Sequence, residues 1–293
     1  MANGFTGDFV KLVPCNHASQ TSFSKAYSFA TDDNGHFLSF MVSTGKKSLT
    51  LDCVEDSTDY DNPSDTDTER MQHSGHYILS LRRETVPQIS IHGWNVGRGS
   101  ARWSHRGVDL LLAKPGDPLG KSLADVHMVF AFHQTSGFLM MRGGSSKATV
   151  DYYTSDGWKS LKLDERRLMN QNSTMIRAGA CEYELVYTIP PEHRVAFFDR
   201  RDAFLEAKLL SNGQAARPLR KLPTDPSTLR GDYLEFDICG VGAFGWITHG
   251  VHIKTGNAVA IKELRIQDRR TASTAMAEVE MGKRLKARLI YDA

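Results

Sequence analysis

Gly240-Val241-Gly242-Ala243-Phe244-Gly245-Trp-Ile247, continuing through Thr-His-Gly-Val-His-Ile253 to Ala258-Val-Ala260-Ile-Lys262-Glu-Leu264, is the stretch on which the reading of this chain turns. It has the spacing G-x-G-x-x-G-x-V, with Ile247 in the valine place. Three such glycines alone mark no more than a turn. In a dinucleotide-binding unit the last glycine opens a helix. Here a β-rich run follows instead, and Thr255-Gly256 turns it into a further strand. Together with Tyr233-Leu-Glu-Phe-Asp-Ile238 the segment predicts three strands, with the glycines forming a hairpin lid. A glycine backbone can approach a phosphate chain closely, so the lid points to an anionic ligand.

Working outward, Val259-Ala260-Ile-Lys262 lies on the strand after the lid. Ser273 to Leu289 then reads as a helix, with Ser273 or Thr274 as its cap and Met276, Val279, Leu285 and Leu289 on related faces. This helix carries Ala277-Glu278-Val-Glu280-Met281. The order glycine loop, V-A-I-K strand, helix with a glutamate resembles the amino-terminal lobe of a serine/threonine protein kinase. The resemblance implies ATP contacts at Gly240, Val241, Gly242, Ala243, Phe244, Gly245, Ile247 and Ala260. It implies that Lys262 binds the α and β phosphates and that Glu278, rather than Glu280, holds that lysine in place. After the helix the family has a His-Pro-Asn turn, where this chain reads Lys286-Ala-Arg-Leu-Ile-Tyr-Asp-Ala293.

No H-R-D-x-x-x-x-N, D-F-G or A-P-E motif occurs in the 293 residues. Those motifs orient the acceptor hydroxyl and hold Mg²⁺. The expectation is therefore residual ATP binding, a role for Mg²⁺ only with a carboxy-terminal lobe, and no phosphoryl transfer by this polypeptide as written. The alternative is a non-catalytic adaptor whose kinase-like segment is structural.

Upstream, short β-rich runs recur at 77–81, 88–92, 108–112, 127–132, 138–141, 158–163 and 183–189, punctuated by Gly, Pro, Asp and Ser. Many short strands without helical periodicity predict a β-sandwich. Within them, Gly93-Trp-Asn-Val-Gly97-Arg98, Val126-His127-Met-Val-Phe130 and Phe138-Leu-Met-Met-Arg142 leading to Gly144-Ser145-Ser-Lys147-Ala148-Thr149 resemble a forkhead-associated (FHA) domain. Domains of that family are β-sandwiches that hold phosphothreonine peptides on loops at one end. The resemblance makes Arg98 a phosphate contact, with Ser145 and Lys147 in the phosphopeptide-binding loop, and His127 a packing residue. It departs from the family at four places. Ala124 replaces the phosphate-binding serine, Asp125 the neighbouring arginine, Lys147 the asparagine and Ala148 the glycine. A lost hydroxyl and an added carboxylate weaken anion binding, and Lys147 supplies a less directional cation in compensation.

The expected organisation is four parts. Residues 1–75 form an amino-terminal region in which His36–Val42 is a candidate strand. It ends in a disordered linker across the acidic run Asp52 to Glu69, with Ser57, Thr58, Ser64, Thr66 and Thr68 as candidate phosphorylation sites. Residues 76–190 form the sandwich. Residues 191–230 hold a helix over His193–Leu210 and a proline-rich tether. Residues 231–293 form the kinase-like lobe. The fold class is mainly β, a sandwich plus an α+β lobe.

Composition excludes other classes. Lys plus Arg is 36 against 34 Asp plus Glu, a net charge of +2, so a bulk nucleic-acid binder is not expected. The basic, aromatic loop Arg98 to Arg106, with Arg102 and Trp103, fits a phosphopeptide site better than a nucleic-acid patch. Cys15, Cys53, Cys181 and Cys239 are widely spaced, which argues against a disulfide framework or a cysteine zinc site. The eleven histidines include His73 and His76 in a turn, without partners at ligand spacing. No apolar run is long enough to cross a membrane, and no basic segment with an apolar core opens the chain. The expected setting is intracellular, nuclear or cytoplasmic, with phosphothreonine-containing proteins as partners.

Overall fold

The computed structural model describes residues 5–32, 37–48, 71–82, 93–99, 107–209, 218–242, 245–266 and 269–291. The chain is mainly β and forms two compact units, Met1–Thr224 and Asp225–Ala293.

In the first unit, β1 (Asp8–Pro14) is followed by helix α1 (His17–Asp32) and β2 (Met41–Ser48). The remaining strands are β3 (Met71–Ser80), β4 (Trp94–Gly97), β5 (Leu110–Leu111), β6 (Met128–Phe132), β7 (Leu139–Gly143), β8 (Val150–Thr154), β9 (Gly157–Leu161), β10 (Arg166–Leu168), β11 (Ser173–Ala178) and β12 (Cys181–Tyr187). Helix α2 (Arg194–Leu209) follows. One sheet has seven strands in the order β2-β3-β1-β12-β11-β8-β9, and the other has five in the order β10-β7-β6-β4-β5. All pairings are antiparallel except β4 with β5, which is parallel.

The strands form because their apolar residues repeat with period two. In β12, Cys181, Tyr183 and Leu185 are buried while their neighbours are partly exposed, and β11 does the same with Thr174, Ile176 and Ala178. The two inner faces meet in an aromatic core. Phe9 of the large sheet lies 5.5 Å from Trp94 and 5.1 Å from Phe132 of the small one. Helix α2 adds Phe197, 5.6 Å from Phe9, and Phe204, stacked on Trp94 at 5.9 Å. It also brings in a buried cation. Arg201 donates to the Gly137 carbonyl at 3.2 Å and to Asp202, and faces the Phe198 ring at 4.9 Å. Helix α1 is capped by Asn16, whose side-chain oxygen accepts from the Ser19 N–H at 2.9 Å, while Ser19 Oγ accepts from the Asn16 N–H at 3.1 Å.

Several expectations are corrected. The boundaries at 75/76 and 190/191 do not divide the fold. β3 runs across the first, β1 lies between β3 and β12 in the large sheet, and α2 packs into the same core. Residues 37–40 form a 3₁₀ turn rather than part of a strand, which starts at Met41. The described part of the expected tether also packs. Leu222 is buried in the core, and Arg220 pairs with Asp199 at 2.6 Å. The acidic run 52–69 with its candidate phosphorylation sites, the expected strand 88–92, the loop 100–106 and residues 211–217 lie outside the described residues.

The second unit is a four-stranded antiparallel sheet in chain order: β13 (Thr228–Arg230), β14 (Tyr233–Gly242), β15 (Gly245–His252) and β16 (Ala258–Leu264). Helix α3 spans Arg269–Tyr291. The boundary expected at 230/231 lies further back, because β13 pairs Arg230 with Tyr233 and belongs to this sheet. The core here is small: Leu234, Phe236, Val251, Ile253 and Ala275 are its buried apolar residues among those described. No helix among the described residues is long and apolar enough to cross a membrane.

Candidate functional site

Sequence-singled residues come together in each unit, except that Arg98 stands apart from Ser145 and Lys147 in the first. In the second unit, β14 and β15 form the glycine hairpin, with Gly240 opposite Ile247 and Gly242 opposite Gly245. Ala243 and Phe244, at its tip, lie outside the described residues. β16 continues the sheet with Lys262 opposite Ile247 and Ala260 opposite His249. Directly paired residues and their i+2 neighbours share a face. Gly240, Ile247, Ala260 and Lys262 therefore share one face of this sheet.

The three glycines have different reasons to be glycine. A Cβ on Gly245 would sit 1.8 Å from the Glu263 carbonyl oxygen, so strand packing alone demands a bare backbone there. A Cβ on Gly240 would meet nothing closer than Ile247 at 3.8 Å, and one on Gly242 nothing closer than 4.0 Å. Among the described residues, the hairpin therefore leaves room for side chains at Gly240 and Gly242. Val241 between them is 82% exposed, an apolar residue held out from the sheet.

Lys262 Nζ donates to Glu278 Oε1, joining β16 to α3. The expected pair thus forms; Glu280, the alternative, is exposed on the same helix. Lys262 and Glu278 are 40% and 43% exposed, so solvent screens their attraction and their worth to stability is small. Their geometric effect is larger: the ammonium is held at one place over the sheet.

No protein-family model matches this chain. No curated protein matches it either.

In the first unit, the loops around the small sheet gather at Gly97–Arg98, 119–127, 143–149 and 178–180. His127 ties two of them together. Its Nδ1 accepts from the Ala124 N–H at 3.1 Å, which leaves Nε2–H to donate to the Thr149 carbonyl at 3.0 Å. Both nitrogens are thereby used by the neutral ring. Burial pushes the imidazole pKa below its usual 6.5, with the Thr149 carbonyl opposing in part. The side chain packs and links the two loops.

Arg98 is 45% exposed at the side chain, and two of its five N–H donors, one of them to a carboxylate, are engaged. Nε donates to Asp125 Oδ1 at 3.0 Å and Nη1 to the Gly120 carbonyl at 3.3 Å. Asp125 thus sets a carboxylate against the Arg98 guanidinium. Ser145 Oγ accepts from the Lys147 N–H at 3.1 Å, a local turn that presents both side chains outward.

Beside these loops is an open depression of about 650 Å³ lined by Ser122, Ser145, Lys147, Thr149, Lys162 and Gly179, among others. Arg98 is not among its lining residues. Sequence reasoning found Ser145 and Lys147 but missed Ser122, Lys162 and Gly179. Lys162 reaches the site through a bridge between Gly143 and Leu163, a tertiary contact with no local sequence signal. Among the described residues, no three His, Cys, Asp or Glu side chains are grouped as a metal ion would need.

Proposed function

We propose that this is a signalling-type chain in which an FHA-like sandwich binds phosphorylated peptides and a kinase-like lobe binds ATP. The observation that carries it is the Lys262–Glu278 pair beside a hairpin whose Gly240 and Gly242 have, among the described residues, no packing reason to be glycine. Bare backbone at those two positions suits close approach of a triphosphate, and Lys262 supplies a positioned cation. Ile247 and Ala260 give the same face apolar surface for a base. For the sandwich, the support is the gathering of Ser145, Lys147 and further hydroxyls and cations in one depression. The partners of this reading are phosphothreonine-containing proteins in the cell interior.

Calorimetric titration with ATP and Mg²⁺ tests the lobe. The expected result is measurable affinity that falls tenfold or more in Lys262→Ala and falls likewise in Gly242→Val, where the Cβ branches fill the approach. Affinity unchanged in both variants would refute a nucleotide site of this design.

A second reading is favoured by the solvent exposure of Lys262 and Glu278: the kinase-like unit is a structural module and the chain an adaptor. On that reading the titration shows no heat from ATP, while phosphopeptides still bind the sandwich.

A further inference from the structure

We infer that the phosphoryl group of a bound peptide is seated by Lys147 and Lys162 in the depression, not by Arg98, which is committed to Asp125 as a tie between loops. The inference rests on the phosphopeptide reading and names the side chains that make that site.

Charge distribution carries the argument. An anion site needs donors whose charge is not already matched. Arg98 has a carboxylate at 3.0 Å and a backbone carbonyl at 3.3 Å, and it does not line the depression. Lys147 and Lys162 both line it, and both are exposed. The hydroxyls of Ser145 and Ser146 line the same walls and can donate to phosphate oxygens, whereas Ser122 Oγ already donates to the Leu119 carbonyl at 3.0 Å. The one carboxylate in the lining, Asp151, accepts from Ser160 Oγ at 2.6 Å and keeps its negative charge, so the two lysines outweigh it by one. His127, also in the lining, has both ring nitrogens occupied and adds no charge.

The floor is fixed where the lysines attach. Gly143 runs so close to the Lys162 carbonyl that a Cβ would sit 2.1 Å from it, and Gly179 passes Ser122 Oγ with a Cβ distance of 2.5 Å. The first approach brings the ends of β7 and β9 together and places Lys162 close to the 145–149 loop, and the second brings the end of β11 against Ser122. Two lysines act as mobile point charges rather than as a rigid fork. Such a site recognises the dianion with little demand on its orientation and weakens as salt is raised.

The test uses the full chain and a degenerate peptide library with a fixed central phosphothreonine, beside its unphosphorylated counterpart. Binding is read by fluorescence anisotropy, and melting curves confirm that each variant folds. Expected are a tenfold or greater loss of phosphopeptide affinity in Lys147→Ala and in Lys162→Ala, recovery in Lys147→Arg, and less than a twofold change in Arg98→Ala. Loss of binding in Arg98→Ala with both lysine variants unaffected would overturn this anchor assignment while leaving phosphopeptide recognition standing. Equal binding of the two peptide libraries by the wild type would overturn both.

Discussion

His127 shows how one side chain sets a pH response. Its neutral form holds Ala124 and Thr149, and burial holds its pKa below the usual 6.5. Above about pH 6.5 the ring is neutral in the folded and unfolded chain alike, and the full stability is present. As pH falls below that value the unfolded chain takes up a proton first, so stability drops until the folded-state pKa is reached. His133 and His76 are shifted the same way, chiefly by burial and secondarily by Arg166 and Lys11. The urea midpoint is therefore expected to be lower at pH 5.5 than at pH 7.5, with a shallower fall in His127→Gln. An unchanged pH slope in that variant would show that the ring does not report folding.

Among elements, β7 is the one on which the depression depends. Substituting Gly143→Ala forces a Cβ against the Lys162 carbonyl, which is backbone and cannot swing aside. Overpacking of this kind costs about 1–3 kcal/mol. The expected outcome is a lowered urea midpoint together with weakened phosphopeptide binding, since Lys162 must move with its backbone. Binding retained at wild-type strength would mean that this wall of the depression is irrelevant. The elements also show what could be read in advance. β14, β15 and β16 were legible because alternating apolar residues and glycine turns are local signals, and the Lys262–Glu278 pair was expected only from the kinase resemblance. β1 was not, because Phe9 and Val10 are both buried and break its alternation, and its neighbours β3 and β12 lie far off in the chain. α1 was hidden by four serines and few strong helix formers. Its hold comes from Phe23, Ala26 and Ala30 packed inward and from the Ser22 hydroxyl, which donates to the Leu112 carbonyl at 2.6 Å. The depression was half legible, since Ser145 and Lys147 sit in a recognisable loop while Ser122 and Lys162 arrive by tertiary pairing.

At the scale of the whole molecule, the two units differ in how much they bury. Among the described residues, the first has an extended core of aromatic and aliphatic side chains, the second only a few buried apolar residues. Stability follows buried apolar area at about 25 cal/mol per Å², so the second unit is expected to unfold at lower urea. Trp246 is the single tryptophan of that unit, against Trp94, Trp103 and Trp158 in the first. In a Trp246→Phe variant, the fluorescence transition should move to higher urea than the circular-dichroism transition of the wild type. Coincident transitions by both probes would show one cooperative block instead.

The central place of β1 has a consequence for synthesis. Val10 pairs with Tyr187, so the large sheet cannot be completed while the later partner is still inside the ribosome. Until then an early apolar strand waits with one edge open, and long-range pairings of this kind form slowly. The newborn protein thus passes through a stage in which its first segment needs shelter, and any chain cut short before residue 181 would leave that segment permanently without its β12 neighbour.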